Sequence, residues 1–315
     1  MGDRKPQESW WTVGLQALRA PFLSASVVAV LVGNAVAWND GAYRWDLFVI
    51  TLIVAVAAHA GTNVLNDYFD HLFGADDLHD HPTPFSGGSR VIQEGKMPPS
   101  MVLWLAIGCY AVALAACLWL VSLRGWPIVV IGLLGLFLSV QYSAPPLKLA
   151  YLGYGLGELA TGLGFGPVMV IGTYLAQTGA VRPSAVWASL PMGLLIAGVL
   201  WINEVPDYEP DRQAGKQTLV VVQGPRASMA GYVAVMVTAY VAVIAGVLSG
   251  LMPWTALLTF LTLPMTLRAI SLARAYYNQI DRLLPANALT IQVHSLFGLA
   301  LATSFLLARL LRLWF

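Results

Sequence analysis

The sequence predicts an all-α membrane protein, a bundle of nine transmembrane helices with a cytoplasmic amino terminus, and three observations lead there. Of 315 residues, 58% are hydrophobic and 10% charged, whereas soluble domains carry about a quarter charged residues. Nine apolar runs, at about 21–38, 47–66, 101–122, 127–142, 156–177, 185–203, 229–249, 253–272 and 291–313, reach or approach the roughly 20 residues that a spanning helix needs. Nine spans also sort the charge. The amino terminus and every second loop share one side, which holds Arg4, Lys5, Arg19, Arg90, Lys96, Lys148, Arg212, Lys216, Arg226, Arg268, Arg274 and Arg282, 12 of the 17 basic residues. Arg44, Arg124, Arg182, Arg309 and Arg312 remain on the other side. The positive-inside rule then puts the amino terminus in the cytoplasm and the carboxyl terminus outside.

Residues 1–315 read as one membrane domain, with a cytoplasmic lead at 1–20 and cytoplasmic motif loops at 71–98 and 204–226. Trp10 and Trp11 in the lead suit interfacial anchors. No short apolar core with a small-residue cleavage site follows, so no removable signal peptide is expected. Pro21 stands at the start of the first span, where its missing N–H costs little, and Asn39-Asp40-Gly41 marks the turn after it. The second span ends in Asn63, Asn66, Asp67 and Asp70, spaced i, i+3, i+4 and i+7. Two amides and two carboxylates therefore share one helix face. Such a face calls for a cation, and the negative end of the helix adds to the attraction.

Asp76 and Asp77 follow, then a polar loop. His79, Asp80 and His81 could form a transition-metal cluster, but without a supporting scaffold they read as a solvated loop. Ser86-Gly87-Gly88-Ser89-Arg90 combines flexible amides, hydroxyls and a guanidinium, which suits a phosphate oxygen; the alternative is a flexible turn with an orientation-setting arginine. Spans three and four carry no interior charge and read as scaffold, with Cys109 and Cys117 as small core or lipid-facing residues. The fourth is the shortest, crowded between Arg124 and the Tyr142–Pro146 break.

Pro145 and Pro146 end it and aim Lys148 toward the acidic region, unless Lys148 only serves the positive-inside bias. Glu158 opens the fifth span, and a carboxylate there faces protein or a cavity. Gly157, Gly162, Gly164, Gly166 and Gly172 suit close helix packing or space for a long apolar ligand. The sixth span ends in a second acidic row, Asn203, Asp207 and Asp211, which Pro206 and Pro210 should kink or unwind. The two rows end spans two and six, so the chain reads as two parallel halves with span nine appended. Asn287, Gln292, His294 and Ser295 give that last span a polar start, with His294 as a satisfied helix-end residue.

Hard carboxylate and amide oxygens without thiolates suit Mg²⁺, which keeps waters and is commonly completed by substrate phosphates. Two facing rows of this kind, with Arg90, Lys148 and Lys216 as counter-charges, would stabilise a leaving diphosphate. Placed at the mouth of an apolar bundle open to lipid, they point to a polyprenyl diphosphate. No basic stripe with interleaved aromatics is present, so nucleic acid is not an expected partner.

Asn66-Asp67-Tyr-Phe-Asp70 with Gly74-Ala-Asp76, Gly-Gly-Ser-Arg90, and Asn203…Asp207…Asp211…Gly215-Lys216-Gln-Thr218-Leu219 resemble the UbiA superfamily of intramembrane prenyltransferases over nearly the whole chain. Pro21 and the Tyr142, Pro145, Pro146, Lys148 segment fit the same pattern. The resemblance implies a nine-helix bundle around a central cavity, Mg²⁺, a prenyl diphosphate donor and an aromatic acceptor. It implies that Asp67, Asp70, Asp207 and Asp211 carry catalysis, holding Mg²⁺ together with Asp76. Asn63, Asn66 and Asn203 would orient them, and Arg90, Lys148 and Lys216 would grip the diphosphate. Gly74-Ala-Asp76 and Gly157-Glu158 look most like the 1,4-dihydroxy-2-naphthoate branch of menaquinone synthesis, in a bacterial or archaeal cytoplasmic membrane. Pro206 stands where that branch commonly has arginine, and Glu204 where a second asparagine is common. Other acceptors in view are 4-hydroxybenzoate, homogentisate, chlorophyllide and a lipid alcohol.

A transporter of a cation or organic anion would also place carboxylates at span ends, but its site belongs near the midplane. A CDP-alcohol phosphatidyltransferase would need an Asp-Gly-x-x-Ala-Arg signature, which the sequence lacks.

Overall fold

The computed structural model describes residues 9–79 and 82–314. Among them nine helices are long and apolar enough to cross a bilayer: Ala20–Asn39, Trp45–Leu72, Pro99–Arg124, Trp126–Ser143, Leu156–Thr178, Pro183–Asn203, Pro225–Leu248, Trp254–Tyr276 and Ile280–Arg312. The fold is an all-helical bundle, and each expected span has its helix. A short helix, Trp10–Ala17, precedes them; Ser9 caps it by accepting the Thr12 N–H at 3.3 Å. Trp10 and Trp11 stand exposed on it, as interfacial anchors should. Arg4 and Lys5 lie outside the described residues.

The largest departure is at the ninth span, which starts at Ile280 and not near 291. Its polar residues satisfy one another inside the bundle, so the helix continues through them. Asn287 Nδ2 donates to the Ile202 carbonyl at 2.9 Å and to Asn203 Oδ1 at 2.8 Å. Thr290 Oγ1 donates to the Ala286 carbonyl and shares a hydrogen bond of 2.7 Å with Tyr232 Oη. His294 is accordingly buried in mid-helix and is not a helix-end residue.

The first and sixth spans are the most enclosed, with 61% and 67% of their apolar windows buried, against 17% for the third and fourth. The core thus runs through the first, sixth, seventh and ninth spans, joined by Val32, Met192, Ile202, Met236, Phe297 and Phe305. The third and fourth stand at the periphery.

The glycines of the fifth span divide between the two expected roles. Gly162 and Gly166 lie against Gly193 of the sixth: a Cβ on Gly166 would meet Gly193 Cα at 2.6 Å and the Ser189 carbonyl at 2.7 Å. Gly164 and Gly172 instead border a central cavity. Between them Pro167 lacks the N–H that an α-helix needs, and the helix widens to i→i+5 bonding over Gly164–Ile171. Gly166→Ala should destabilise the bundle by about 1–3 kcal/mol through overpacking against backbone. Thermal unfolding in detergent checks this; Gly164→Ala, with open space around it, should change little by comparison.

Candidate active site

A cavity of about 510 Å³ runs through the bundle. One mouth is polar, bordered by Arg19, Asn63, Asn66, Asp70, Asp76, His79, Asn203, Asp207, Asp211 and Lys216. The far part is apolar, with Leu114, Leu118, Ile128, Val129, Leu133 and Val168 on its walls. Most of these come from spans three and four, which are therefore cavity wall as well as scaffold. Cys117 lines it too, and both cysteines are free thiols.

Asp70 is the hub of the mouth. Its Oδ1 accepts from Tyr151 Oη at 2.6 Å, and its Oδ2 accepts from Asn66 Nδ2 at 3.0 Å and Lys216 Nζ at 2.9 Å. Asn66 also donates to Ser143 Oγ at 2.9 Å, and Asn63 Nδ2 donates to the Leu18 carbonyl at 3.2 Å. Asp67 is held behind the cavity surface. Arg19 Nη2 pairs with its Oδ1 at 2.9 Å, and the Ser89 N–H donates to its Oδ2 at 3.2 Å. Asp76 packs on the glycine turn: a Cβ on Gly88, whose φ is +75°, would lie 2.2 Å from Asp76 Oδ2. Only glycine fits both that backbone and that contact. Burial, and then repulsion from Asp70 and Asp67, holds the Asp76 carboxyl well above its ordinary range.

The second row is broken where its prolines predicted. The sixth span stops at Asn203, and after a turn through Pro206 a short helix, Tyr208–Gln213, carries Asp211 inward. Lys216 then turns back, its N–H donating to the Asp211 carbonyl at 2.8 Å and its Nζ reaching Asp211 Oδ1 at 3.6 Å. Burial pushes the Asp211 carboxyl up to about 8, against the pull of Lys216 and with repulsion from Asp207 and Asp70. For Lys216 burial works against the charge, but Asp211 and Asp70 hold the ammonium well above its ordinary value. Asn203 Oδ1 is fixed by Asn287. Asp207 Oδ1 bonds His79 Nε2 at 2.6 Å. His79 is therefore a buried member of the site and not part of a solvated loop; Asp80 and His81 lie outside the described residues.

Two expected diphosphate ligands are not on the cavity wall. Arg90, at φ +65°, turns its Nη1 to the Asp76 carbonyl at 2.5 Å, closing the loop that carries Asp76. Lys148 Nζ stands 4.3 Å from the Phe73 ring centre, over the ring. Arg19 supplies a cation on that wall instead. It lines the cavity, and its buried Nε has no hydrogen-bond partner among the described residues. The only sequence signal for it was a basic residue two positions before Pro21. Glu158, expected to face protein or a cavity, faces protein and accepts the Leu219 N–H at 2.8 Å. Beside it Glu204 borders the cavity, with burial and then Glu158 driving its carboxyl well above the ordinary range.

Asp67 thus pairs with Arg19, Asp70 and Asp211 pair with Lys216, and Asp207 bonds the His79 imidazole, while Asp76 lies buried beside them without a cation of its own among the described residues. Carboxyls that burial and mutual repulsion push toward their neutral forms lack positive charge. Among the described residues no three Asp, Glu, His or Cys groups are close enough to hold one ion by themselves. The donor set therefore fits a hard divalent ion that takes one or two carboxylates directly and completes its shell with water and phosphate.

The sequence profile of the UbiA prenyltransferase family matches residues 26–296. The chain belongs to that family. This prenyltransferase is 27% identical to the 1,4-dihydroxy-2-naphthoate octaprenyltransferase of Bacillus subtilis (strain 168), over 98% of this chain and 96% of that one. Among solved structures, an apo UbiA homolog from Aeropyrum pernix K1 superposes with a TM-score of 0.65 at 18% identity, covering 87% of this chain and 96% of that one. A UbiA homolog from Archaeoglobus fulgidus bound to GPP and Mg²⁺ superposes with a TM-score of 0.55 at 17% identity, over 92% and 99% of the two chains. The prenyltransferase is an integral membrane protein.

Proposed function

We propose that this prenyltransferase moves a polyprenyl group from an allylic diphosphate to 1,4-dihydroxy-2-naphthoate, with Mg²⁺, on the cytoplasmic face of the membrane. The observation that carries this reading is the placing of Asp70, Asp76, Asp207 and Asp211, with Arg19 and Lys216, at the mouth of a largely apolar cavity of about 510 Å³. The mouth suits a diphosphate and the cavity a hydrocarbon chain. The naphthoate acceptor is supported by the name of the Bacillus relative, and the metal by the donor set together with the Mg²⁺ of the Archaeoglobus homolog.

In this reading Asp67, Asp70, Asp76, Asp207 and Asp211 would hold the ion, one or two of them directly and the rest through water, and it would supply charge neutralisation to the departing diphosphate. Lys216 and the free Nε of Arg19 give that anion charge-assisted hydrogen bonds. Asn66, Tyr151 and His79 fix the carboxylates; Arg90 closes the Asp76 loop. The chain walls, being apolar, keep water away from the allylic carbon so that the electron-rich ring is its available nucleophile. Purified protein incubated with Mg²⁺, a panel of prenyl diphosphates and a panel of aromatic acids, with products identified by mass, tests the assignment. A prenylated 4-hydroxybenzoate or homogentisate in place of the naphthoate product would move the acceptor; no product with any pair would end the reading.

Orientation has its own test. Gln213 is exposed beside the second row and Ala180 in the loop between spans five and six, at the opposite end of the bundle. Gln213→Cys should react with an impermeant maleimide only from the cytoplasmic side, and Ala180→Cys only from outside. The reverse pattern overturns the charge-based topology.

A further inference from the structure

From the placement of two buried histidines on the cavity wall, we infer that His59, assisted by His294, binds a ring hydroxyl of the aromatic acceptor. His59 stands four residues before Asn63 and eleven before Asp70, on the same face of the second span. At 1.5 Å per residue it lies ~16 Å deeper than Asp70, leaving room between them for a diphosphate, the allylic carbon and the ring that attacks it. Its ring is fixed from two sides. Nδ1 shares a 2.7 Å hydrogen bond with Ser26 Oγ, and Phe165 packs edge to face at 4.6 Å between centroids. Among the described residues Nε2 then has no hydrogen-bond partner, on a residue that is 7% exposed and lines the cavity. His294, from the ninth span, lines the same cavity, and its Nε2 is likewise unpartnered.

Three other polar groups away from the acidic mouth satisfy one another. Thr62, Ser139 and Tyr110 bond one another, beside the apolar wall that suits the prenyl chain. Ionisable residues at this depth are costly unless a ligand uses them, and a hydrocarbon gives an imidazole nothing. The chemistry also selects the ligand. Ser26 can donate to Nδ1 or accept from it, so Nε2 is a donor in one tautomer and an acceptor in the other. A hydroxyl serves both, because it donates and accepts. A hydroxyarene places such a group on a flat apolar ring, which matches the Phe165 edge and the apolar surroundings.

This inference rests on the aromatic-acceptor reading and is tested separately from it. Kinetics of wild type, His59→Leu, His59→Gln and His294→Leu would be measured with the naphthoate acceptor and with its mono-methyl ethers, varying each substrate in turn. Loss of one hydrogen bond to the acceptor should raise the acceptor KM about tenfold in His59→Leu. The donor KM should stay within about twofold, and His59→Gln should recover part of the loss. Masking the hydroxyl that His59 binds should weaken wild type but add nothing to the loss in His59→Leu, the signature of one shared contact. Equilibrium dialysis of labelled acceptor against the protein reads the same difference without turnover. If His59→Leu does not fold, His59→Gln and the methyl ethers on wild type still decide. Unchanged acceptor KM and binding, or equal losses for both substrates, would overturn the assignment while leaving the prenyl transfer intact. A wild type that prenylates no hydroxyarene would overturn the aromatic-acceptor reading and this inference with it.

Discussion

Asp70→Asn is expected to lower kcat by about two to three orders of magnitude, the loss seen when one preorganised charge is removed from a transition-state cage. Asparagine keeps the volume of Asp70 but not its charge, and three donors converge on that carboxylate: Tyr151 Oη, Asn66 Nδ2 and Lys216 Nζ. An amide has one oxygen for them and turns its own NH₂ toward the others. The change therefore removes negative charge where a divalent ion is proposed to bind, and it also loosens Lys216 on the diphosphate side. Removing one partner of a buried pair commonly costs about 3–5 kcal/mol of stability. Lys216 keeps Asp211 at 3.6 Å, so the variant should stay folded, with a lowered melting temperature. Initial rates well below that temperature separate chemistry from folding. Asn66→Ala, which deletes one neutral donor, should cost about tenfold or less. Asp70→Asn activity within tenfold of wild type would take Asp70 out of the site.

Asp70 was legible in the sequence because its row lies on one regular helix. The i, i+3, i+4, i+7 spacing projects directly onto a face, and the second span carries it unbroken to Leu72. The second row was less legible, since Pro206 and Pro210 replace helix periodicity by a turn and a short helix. What no spacing could supply was which distant residues meet. Lys216 reaches Asp70 across 146 positions, and His79 reaches Asp207 across 128. Spans three and four hid their role for another reason: a wall facing a prenyl-sized cavity and a wall facing lipid present the same apolar surface, so composition cannot separate them. The polar start read into the ninth span failed because Asn287 and Thr290 find partners within the bundle, which a one-dimensional reading prices as exposure. Arg19 entered the sequence reading only through the charge count, because its partner Asp67 stands 48 positions away.

Arg19→Lys should lower kcat/KM for the prenyl diphosphate by about ten- to a hundredfold, the worth of one or two charge-assisted hydrogen bonds. Arg19 has an unusual pair of duties for one side chain. Nη2 holds Asp67 at 2.9 Å, and the buried Nε has no hydrogen-bond partner among the described residues. Burial opposes its charge, but Asp67, Asp76 and Asp70 more than offset this and hold the guanidinium above its ordinary value. Its charge is therefore secured by the acidic rows before any substrate arrives. Lysine keeps that charge but offers a single point, which can neutralise Asp67 or meet the diphosphate with poor geometry for both. Arg19→Gln should be worse, since it leaves Asp67 buried without a cation. The comparison that decides is with Arg90→Lys. Arg90 contacts the Asp76 carbonyl and stands off the cavity wall, so its loss should act on the loop and change donor kcat/KM less than Arg19→Lys does. Initial rates against prenyl diphosphate at saturating acceptor give both constants. Equal effects from the two lysine variants, or a larger one from Arg90→Lys, would return the diphosphate grip to the glycine loop and leave Arg19 as the counter-charge of Asp67 alone.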